Sequence, residues 1–440
     1  MLGPVPWDPF PHGELDPTGP DPLHDTLYRG AVTAADAYRG VREAFRVEGE
    51  LLRIGNRFVP ASRYREIAFL SFGNAANSMA HGVIDALGQR VTQGFIAGPD
   101  PVPDEIPFQG KVVPAGWPGG ASSAQAASAA LELAEGLRID DLLLILVSPG
   151  TLTALALPPT GYSSSDWTEF LQEVYAHGAT GAEVGLIARL LGSGGVGGQL
   201  AARAPNGEVN TFLVDRGDGP TILGGGPSFL PTNEERSKGR AVLERLGLLA
   251  DLPADRRAAV SPDPTLPTGF TARVERPVIV ASPGDALRGA ADAAFDKRWR
   301  SRLAMLQLEA PPEDAAGIFV DRVNEIVGSE TYDIEAKTKG IATFAMTTLN
   351  LPEGVDSGPG LARFLHQAAA RLSRREMSIS LSRTSGAVGD AAYPPGAVVG
   401  AAGRAAPSVL EDRPRGLRMG RGITDVGFLA VGLFPRLDAA

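Results

Sequence analysis

The segment that most constrains this chain is residues 140–159, DDLLLILVSPGTLTALALPP, an apolar run entered through two acids and cut off by Ser148, Pro149 and Gly150. Leu142 to Val147 are apolar without alternation, the pattern of a strand buried on both faces, as parallel sheets use. In a doubly wound sheet the loop after a central strand opens at the carboxyl edge, where a helix start offers backbone N–H groups to an anion. The turn at Ser148 is therefore the first place to look for a ligand. Pro149 brings no N–H to it.

Strands and helices alternate on either side of this run. Residues 66–72 (EIAFLSF) read as a second buried strand leading into a helix over 75–87, with short strands at 94–97 and 111–114. An Ala-rich helix over 122–137 has Ser122 or Ser123 as its expected cap. Helices are expected at 166–176, 182–191 and 197–203, with a strand at 209–215. Upstream, residues 23–46 show helical spacing, with Leu23, Leu27, Ala31, Ala34 and Ala35 on one face. The alternation predicts an α/β fold: a larger three-layer, Rossmann-like domain with helices on both faces of its sheet.

Residues 250–277 turn to Pro, Asp and Arg without periodicity and predict a linker. Beyond them, a strand at 278–281, helices at 285–300, 314–327, 341–349 and 361–373, and strands at 331–336, 377–382 and 424–434 predict a second, smaller α/β domain. The expected organisation is a Pro-rich N-terminal arm (1–21), a Rossmann-like domain (22–249), the linker (250–277) and the second domain (278–440).

Several function classes are excluded by composition. There is no cysteine, hence no disulfide framework, thiolate nucleophile or zinc-thiolate site. A net charge of −10 without a basic run argues against a nucleic-acid partner. No basic segment precedes an apolar stretch at the N-terminus and no window reaches the length of a membrane span, so a cytoplasmic protein without a membrane partner is expected. His81, His177 and His366 are isolated and show no metal spacing.

Four loops share one design, in which a strand ends, glycines follow and a helix or turn begins: FGNAANSM at Phe72, SPGTLTA at Ser148, GSGGVGGQLA at Gly192 and DRGDGPTILGGGPS at Asp215. Gly73, Gly150, Gly197, Gly198, Gly225 and Gly226 are the candidate backbone contacts to a nucleotide. In the order and spacing of these loops, and from LHDTLYRGAVTAAD to ITDVGFLAVGLF, the chain resembles the class II glycerate kinases, the glycerate 2-kinase family whose C-terminal part is the MOFRL domain. The resemblance implies two α/β domains, the second MOFRL-like, with an active site between them. It also implies transfer of the ATP γ-phosphoryl group to the 2-hydroxyl of glycerate with magnesium.

Motif by motif, the turns persist and the charges do not. Asn74 stands at the lysine of the family's Gly-Lys-Ala motif. The His-Pro-Val-Pro-Asp segment corresponds to AGWPGGASSAQ, with Trp117 for histidine. The Ser-Gly-Gly-Gly-Ser-Ala phosphate loop corresponds to SPGTLTA, where Ser148 remains but Pro149, Thr151 and Leu152 replace features that admit a phosphate. Along EVGLIARLLGSGGVGGQLA, Glu183, Gly197, Gly198, Leu200 and Ala201 match, Ala188, Leu190 and Val196 take basic positions, and Arg189 is the one cation that could serve. Asp215 and Asp218 match acids, so a residual cation site is conceivable, with a plain turn cap as the alternative. Glu330, Thr331 and Asp425 persist; Ala342 or Thr343 falls at an arginine, and Ser385, Val388 and Ala392 fall at aspartates.

Three expectations follow. The first is a non-catalytic glycerate-kinase-like binding module or subunit, a homo-oligomer or a hetero-oligomer with an active relative, with no metal and no cofactor. The second is an active phosphotransferase on glycerate or another small hydroxy acid, using ATP and magnesium with Arg189, Asp215 and Asp218. The third is a structural or assembly protein.

Overall fold

The computed structural model describes residues 22–98, 111–115, 121–151, 155, 158–159, 161–192, 198–204, 208–215, 227–263, 274–329, 338–349, 357–372, 377–383, 397–400 and 428–435. The N-terminal arm (1–21) and the strand expected at 331–336 lie outside them. Two compact units emerge among the described residues, one from Ala37–Val280 and the other from residues 22–36 together with those from Ala281 onward. Helix α1 (Pro22–Ala34) thus belongs to the second unit, and the helix expected over 23–46 breaks at Ala35 and Asp36 before α2 (Ala37–Ala44).

In the first unit, α2 leads into a small antiparallel meander, β1 (Phe45–Glu48), β2 (Leu51–Ile54) and β3 (Arg57–Pro60). Then come β4 (Glu66–Phe72), α3 (Ala76–Leu87), β5 (Val91–Ala97), β6 (Lys111–Ala115), α4 (Ala121–Glu135) and β7 (Asp141–Val147). They are followed by α5 (Ser164–Ala176), α6 (Gly181–Leu191), α7 (Gln199–Ala202), β8 (Glu208–Val214), α8 (Asn233–Arg245), α9 (Ala254–Ala259) and β9 (Val278–Ala281). α4 begins at Ala121, so Ser122 and Ser123 lie within its first turn and do not cap it.

The six-stranded sheet has the order β6-β5-β4-β7-β8-β9, with β6, β5, β4, β7 and β8 parallel. Counted from β4 this is the 3-2-1-4-5-6 order of dinucleotide-binding sheets, and it reverses between β4 and β7. β7 is central and buried along its whole length, as its unbroken apolar run requires. Alternate residues Ala68, Leu70, Phe72, Leu143, Ile145 and Val147 pack with α4 and α7. On the other face Phe45 meets Phe212 at 4.7 Å between ring centroids. Residues 250–277 are no plain linker, since α9 folds there, and β9 completes the first sheet.

The second unit holds α1, α10 (Pro283–Asp296), β10 (Trp299–Ala310), α11 (Pro312–Ser329), β11 (Gly340–Leu349), α12 (Ser357–Arg371), β12 (Ser378–Arg383), β13 (Ala397–Gly400) and β14 (Phe428–Pro435). Its five-stranded sheet runs β10-β11-β14-β12-β13 and is antiparallel except for β10 with β11. The helix expected over 341–349 is in fact strand β11. Its residues Ile341 to Met346 are buried without exception, a continuous pattern that periodicity cannot assign to helix or strand. α1 packs on α10 through Gly30 and Gly289, where a methyl at Gly30 would lie 2.5 Å from the Gly289 carbonyl. His24 is buried between two β12 hydroxyls, Ser378 at 2.9 Å and Ser380 at 2.6 Å.

Candidate functional site

The order reversal between β4 and β7 places their two following loops side by side at the carboxyl edge of the sheet. Gly73, Asn74, Ser148 and Gly150 meet there. Gly73 has φ of +96°, and a Cβ on it would stand 2.5 Å from the Ser148 hydroxyl and 2.6 Å from the Pro149 carbonyl, so both backbone angle and space demand glycine. Gly150 also has positive φ, +93°.

The polar groups of these loops bind one another. Gly73 N–H donates to Ala97 O at 3.0 Å, Asn74 N–H to Pro149 O at 2.7 Å, and Ala76 N–H to Gly73 O at 3.1 Å. The Ser148 hydroxyl donates to Phe72 O at 2.8 Å and accepts the Ala75 N–H at 3.0 Å, while Ser148 N–H itself donates to Phe72 O at 3.0 Å. Thr151 turns its hydroxyl onto Ser148 O at 2.6 Å, with Phe72 O at 3.2 Å. Asn74, Ser148 and Thr151 are all buried. Ser148 is a clip between two loops, and among the described residues the N–H groups of Gly73, Asn74, Ala75, Ala76, Ser148 and Thr151 are bonded within the protein, not turned toward an anion.

Arg189 is placed differently from the phosphate-facing cation considered above. It lies on α6 with its side chain 1% exposed, donating from Nε to Glu235 at 3.0 Å and from Nη2 to the Phe229 carbonyl at 2.8 Å. Burial lowers its pKa from the usual guanidinium value, opposed by the charge of Glu235. Glu235 also caps α8: its side chain accepts Thr232 N–H at 2.7 Å while its own N–H donates to the Thr232 hydroxyl at 3.1 Å. This ion pair ties α6 to α8 inside a helical core with Trp167, Leu190, Leu191, Val242 and Leu243. The capping box Thr232-x-x-Glu235 signals the start of α8 but not the pairing of Glu235 with Arg189.

Gly198, with φ of +81°, lies beside Arg189's partner segment, where a Cβ would come 2.5 Å from Leu230 N. Asp215 follows β8 at the same sheet edge and is half-buried. Asp218, Glu330, Asp425, Gly197, Gly225 and Gly226 lie outside the described residues. Ala342 and Thr343, aligned above with an arginine, are buried in β11. Among the described residues no grouping of three or more His, Asp or Glu side chains could hold a metal ion, and no helix is long and apolar enough to cross a membrane.

A second polar centre, without a motif to announce it, gathers around Glu208 at the amino end of β8. Its carboxylate accepts from Arg57 at 2.6 Å, Arg63 at 2.8 Å, the Tyr64 hydroxyl at 2.8 Å and Asn210 at 3.2 Å. Arg57 reaches on to Glu275 at 2.8 Å. Burial pushes the Glu208 carboxyl up, but the hydrogen bonds from Arg57, Tyr64 and Asn210 outweigh it and hold the group below its ordinary value. The centre is on the opposite edge from the loops of β4 and β7, and it fastens the meander strand β3 to the large sheet.

Residues 23–261 match the family described as Domain of unknown function (DUF4147). The human protein named Glycerate kinase is 27% identical over 276 residues, 54% of this chain and 53% of its own length. The chain thus spans about half the length of that curated relative. Two solved structures share the fold: the PH0495 protein from Pyrococcus horikoshii OT3 (TM-score 0.67, 21% identity) and the Thermotoga maritima glycerate kinase (TM-score 0.69, 19% identity), each over 94% of this chain and 98% of theirs. At such identities the structural likeness speaks for the fold alone.

Proposed function

We propose, from the premise that this chain belongs to the DUF4147, glycerate-kinase family, that it has kept the frame of that family and lost ATP:glycerate phosphotransfer, and acts in the cytoplasm as a non-catalytic binding or partner subunit. The observation that carries the reading is the internal hydrogen bonding of the described loop residues at the order reversal. Gly73, Asn74, Ala75 and Ser148 have their N–H groups bonded within the protein, and Pro149 has none to give.

Charge supports the same conclusion. Phosphoryl transfer rests on positioning and on cations that meet the charge of the transition state. Asn74 stands at the lysine position, and of the five lysines Lys111 opens β6 at the opposite sheet edge while Lys238 pairs with Glu234 on α8. Arg189 is spent on Glu235 and Phe229. Losing one preorganised charged group typically costs about 10²–10³ in rate, roughly 3–4 kcal/mol.

The test is glycerate-dependent ADP release from ATP and magnesium by the purified chain, beside an active relative at equal concentration. No release above background is expected. Turnover within tenfold of the active enzyme would overturn the proposal and favour the second reading, an active hydroxy-acid kinase, which the relatives' names support. Co-purification from the native host tests the partner role: an active glycerate-kinase relative is expected in the complex, and a lone monomer argues against that half of the reading.

A further inference from the structure

The helical side of the first unit carries a groove of about 340 Å³ that none of the preceding chemistry uses. Tyr162, Phe170, Leu248 and Leu252 supply its apolar lining. The aromatic wall is braced from behind, with Trp167 stacked on Phe170 at 5.6 Å and 19° and Tyr162 centred 6.2 Å from Trp167.

Its rim is acidic. Asp166, Glu169 and Glu173 stand at i, i+3 and i+7 on one face of α5, and Asp251 faces them from the segment after α8. None of the four is in an ion pair among the described residues. Asp166 accepts the Ser163 N–H at 3.0 Å and Glu169 the Ser165 hydroxyl at 3.2 Å, neutral donors that leave both charges in place. Arg257 is held by the Ala250 and Leu252 carbonyls.

At 1.5 Å of rise per residue the α5 acids span about 10 Å, which is too spread for a single ion. That agrees with the absence of a metal-holding group among the described residues. Spaced negative charge above an apolar, aromatic floor is complementary to a cation that is itself elongated, with methylenes for the walls and ammonium groups for the rim and the ring faces.

We propose that this groove binds a linear aliphatic polyamine, its chain laid along α5 between Tyr162, Phe170 and Leu252, and its ammonium groups facing Asp166, Glu169, Glu173 and Asp251. The site is electrostatic and weakens as salt rises. It is independent of whether the sheet-edge loops catalyse anything.

Spermidine titrated calorimetrically into the full chain tests it. Saturable one-to-one binding is expected, at least tenfold weaker in the double variant Glu169→Gln/Glu173→Gln and weaker again at raised salt. Phe170→Ala should also weaken it; if that variant fails to fold because Trp167 loses its stacking partner, the double variant decides, since both glutamates are exposed. Magnesium chloride alone should give no comparable saturable heat. Affinity unchanged in the double variant, no saturable binding, or equal affinity for magnesium overturns the proposal. An arginine-rich peptide that displaces spermidine and binds more tightly also overturns it and makes the groove a protein interface.

Discussion

Truncating Glu235 is the sharpest test of why Arg189 is present. Glu235→Ala leaves a guanidinium that is 1% exposed without its counter-charge, although the Phe229 carbonyl contact survives. Breaking a buried pair from one side costs about 3–5 kcal/mol. The same change removes one half of the Thr232–Glu235 capping box, worth about 1 kcal/mol, so the loss belongs near the upper end, about 5 kcal/mol. Replacing both partners, Arg189→Met with Glu235→Leu, takes away the stranded charge and leaves roughly the 1 kcal/mol cap loss. Urea unfolding followed by tryptophan fluorescence reads this, because Trp167 lies in the same core. With a slope of about 1–3 kcal/mol/M, the single variant should drop the midpoint by more than about 1 M and the double variant by far less. A single variant within about 0.3 M of the parent, or a double variant as unstable as the single, would refute the view that Arg189 is a structural cation.

Three further outcomes are expected. Ser148→Ala strands the Ala75 N–H and removes a donor to Phe72 O, so it should cost about 1–3 kcal/mol in the same unfolding assay; Ser148→Thr, which keeps the hydroxyl, should recover part of it. Glu208 has a folded pKa below its unfolded value, so its contribution is present above about pH 4.3 and is lost as pH falls through the folded pKa. The parent should therefore lose stability on acidification below that pH more steeply than Glu208→Gln, and equal slopes would contradict the assignment. Gly289→Leu drives a side chain toward the Ala34 methyl, which a Cβ alone would meet at 2.5 Å, and should destabilise the second unit by about 2 kcal/mol or more, as overpacking does; unchanged thermal unfolding would speak against close α1–α10 packing.

What could be read from the residues depended on whether burial was uniform or one-sided. β7 is buried along its whole length and β4 everywhere but at Glu66, and their apolar runs announced them. β11 is buried from Gly340 to Thr347, but its ten residues include Gly340, Ala342, Ala345 and Met346, so length and composition pointed to helix; Thr343 and Thr347 were the β-branched hints. Helix α8, NEERSKGRAVLER, is mostly charged and hid its buried stripe of Gly239, Val242 and Leu243. The meander announced itself only through Gly49 and Gly55, both at positive φ in its turns. Of the candidate site, the glycine turns after β4 and β7 were legible, while the meeting of Gly73 with Ser148 came only with the strand order. The destination of Arg189 was not legible, because a cation's partner 46 residues away leaves no periodic trace. Glu208 was equally silent, since its four donors come from Arg57, Arg63, Tyr64 and Asn210.

The assignment of α1 to the second unit sets a timetable for synthesis. α1 is made before the first unit, yet α10, on which it packs, lies beyond the whole of it. At about 5–20 residues per second, roughly 240 intervening residues delay that partner by about 10–50 s. During this interval Leu27, Ala31 and Val32, buried in the finished protein, have no native surface to cover them. However fast the first unit folds, α10 cannot appear sooner, so a nascent chain of this design must shelter the apolar face of α1 by a chaperone or by a non-native contact until then.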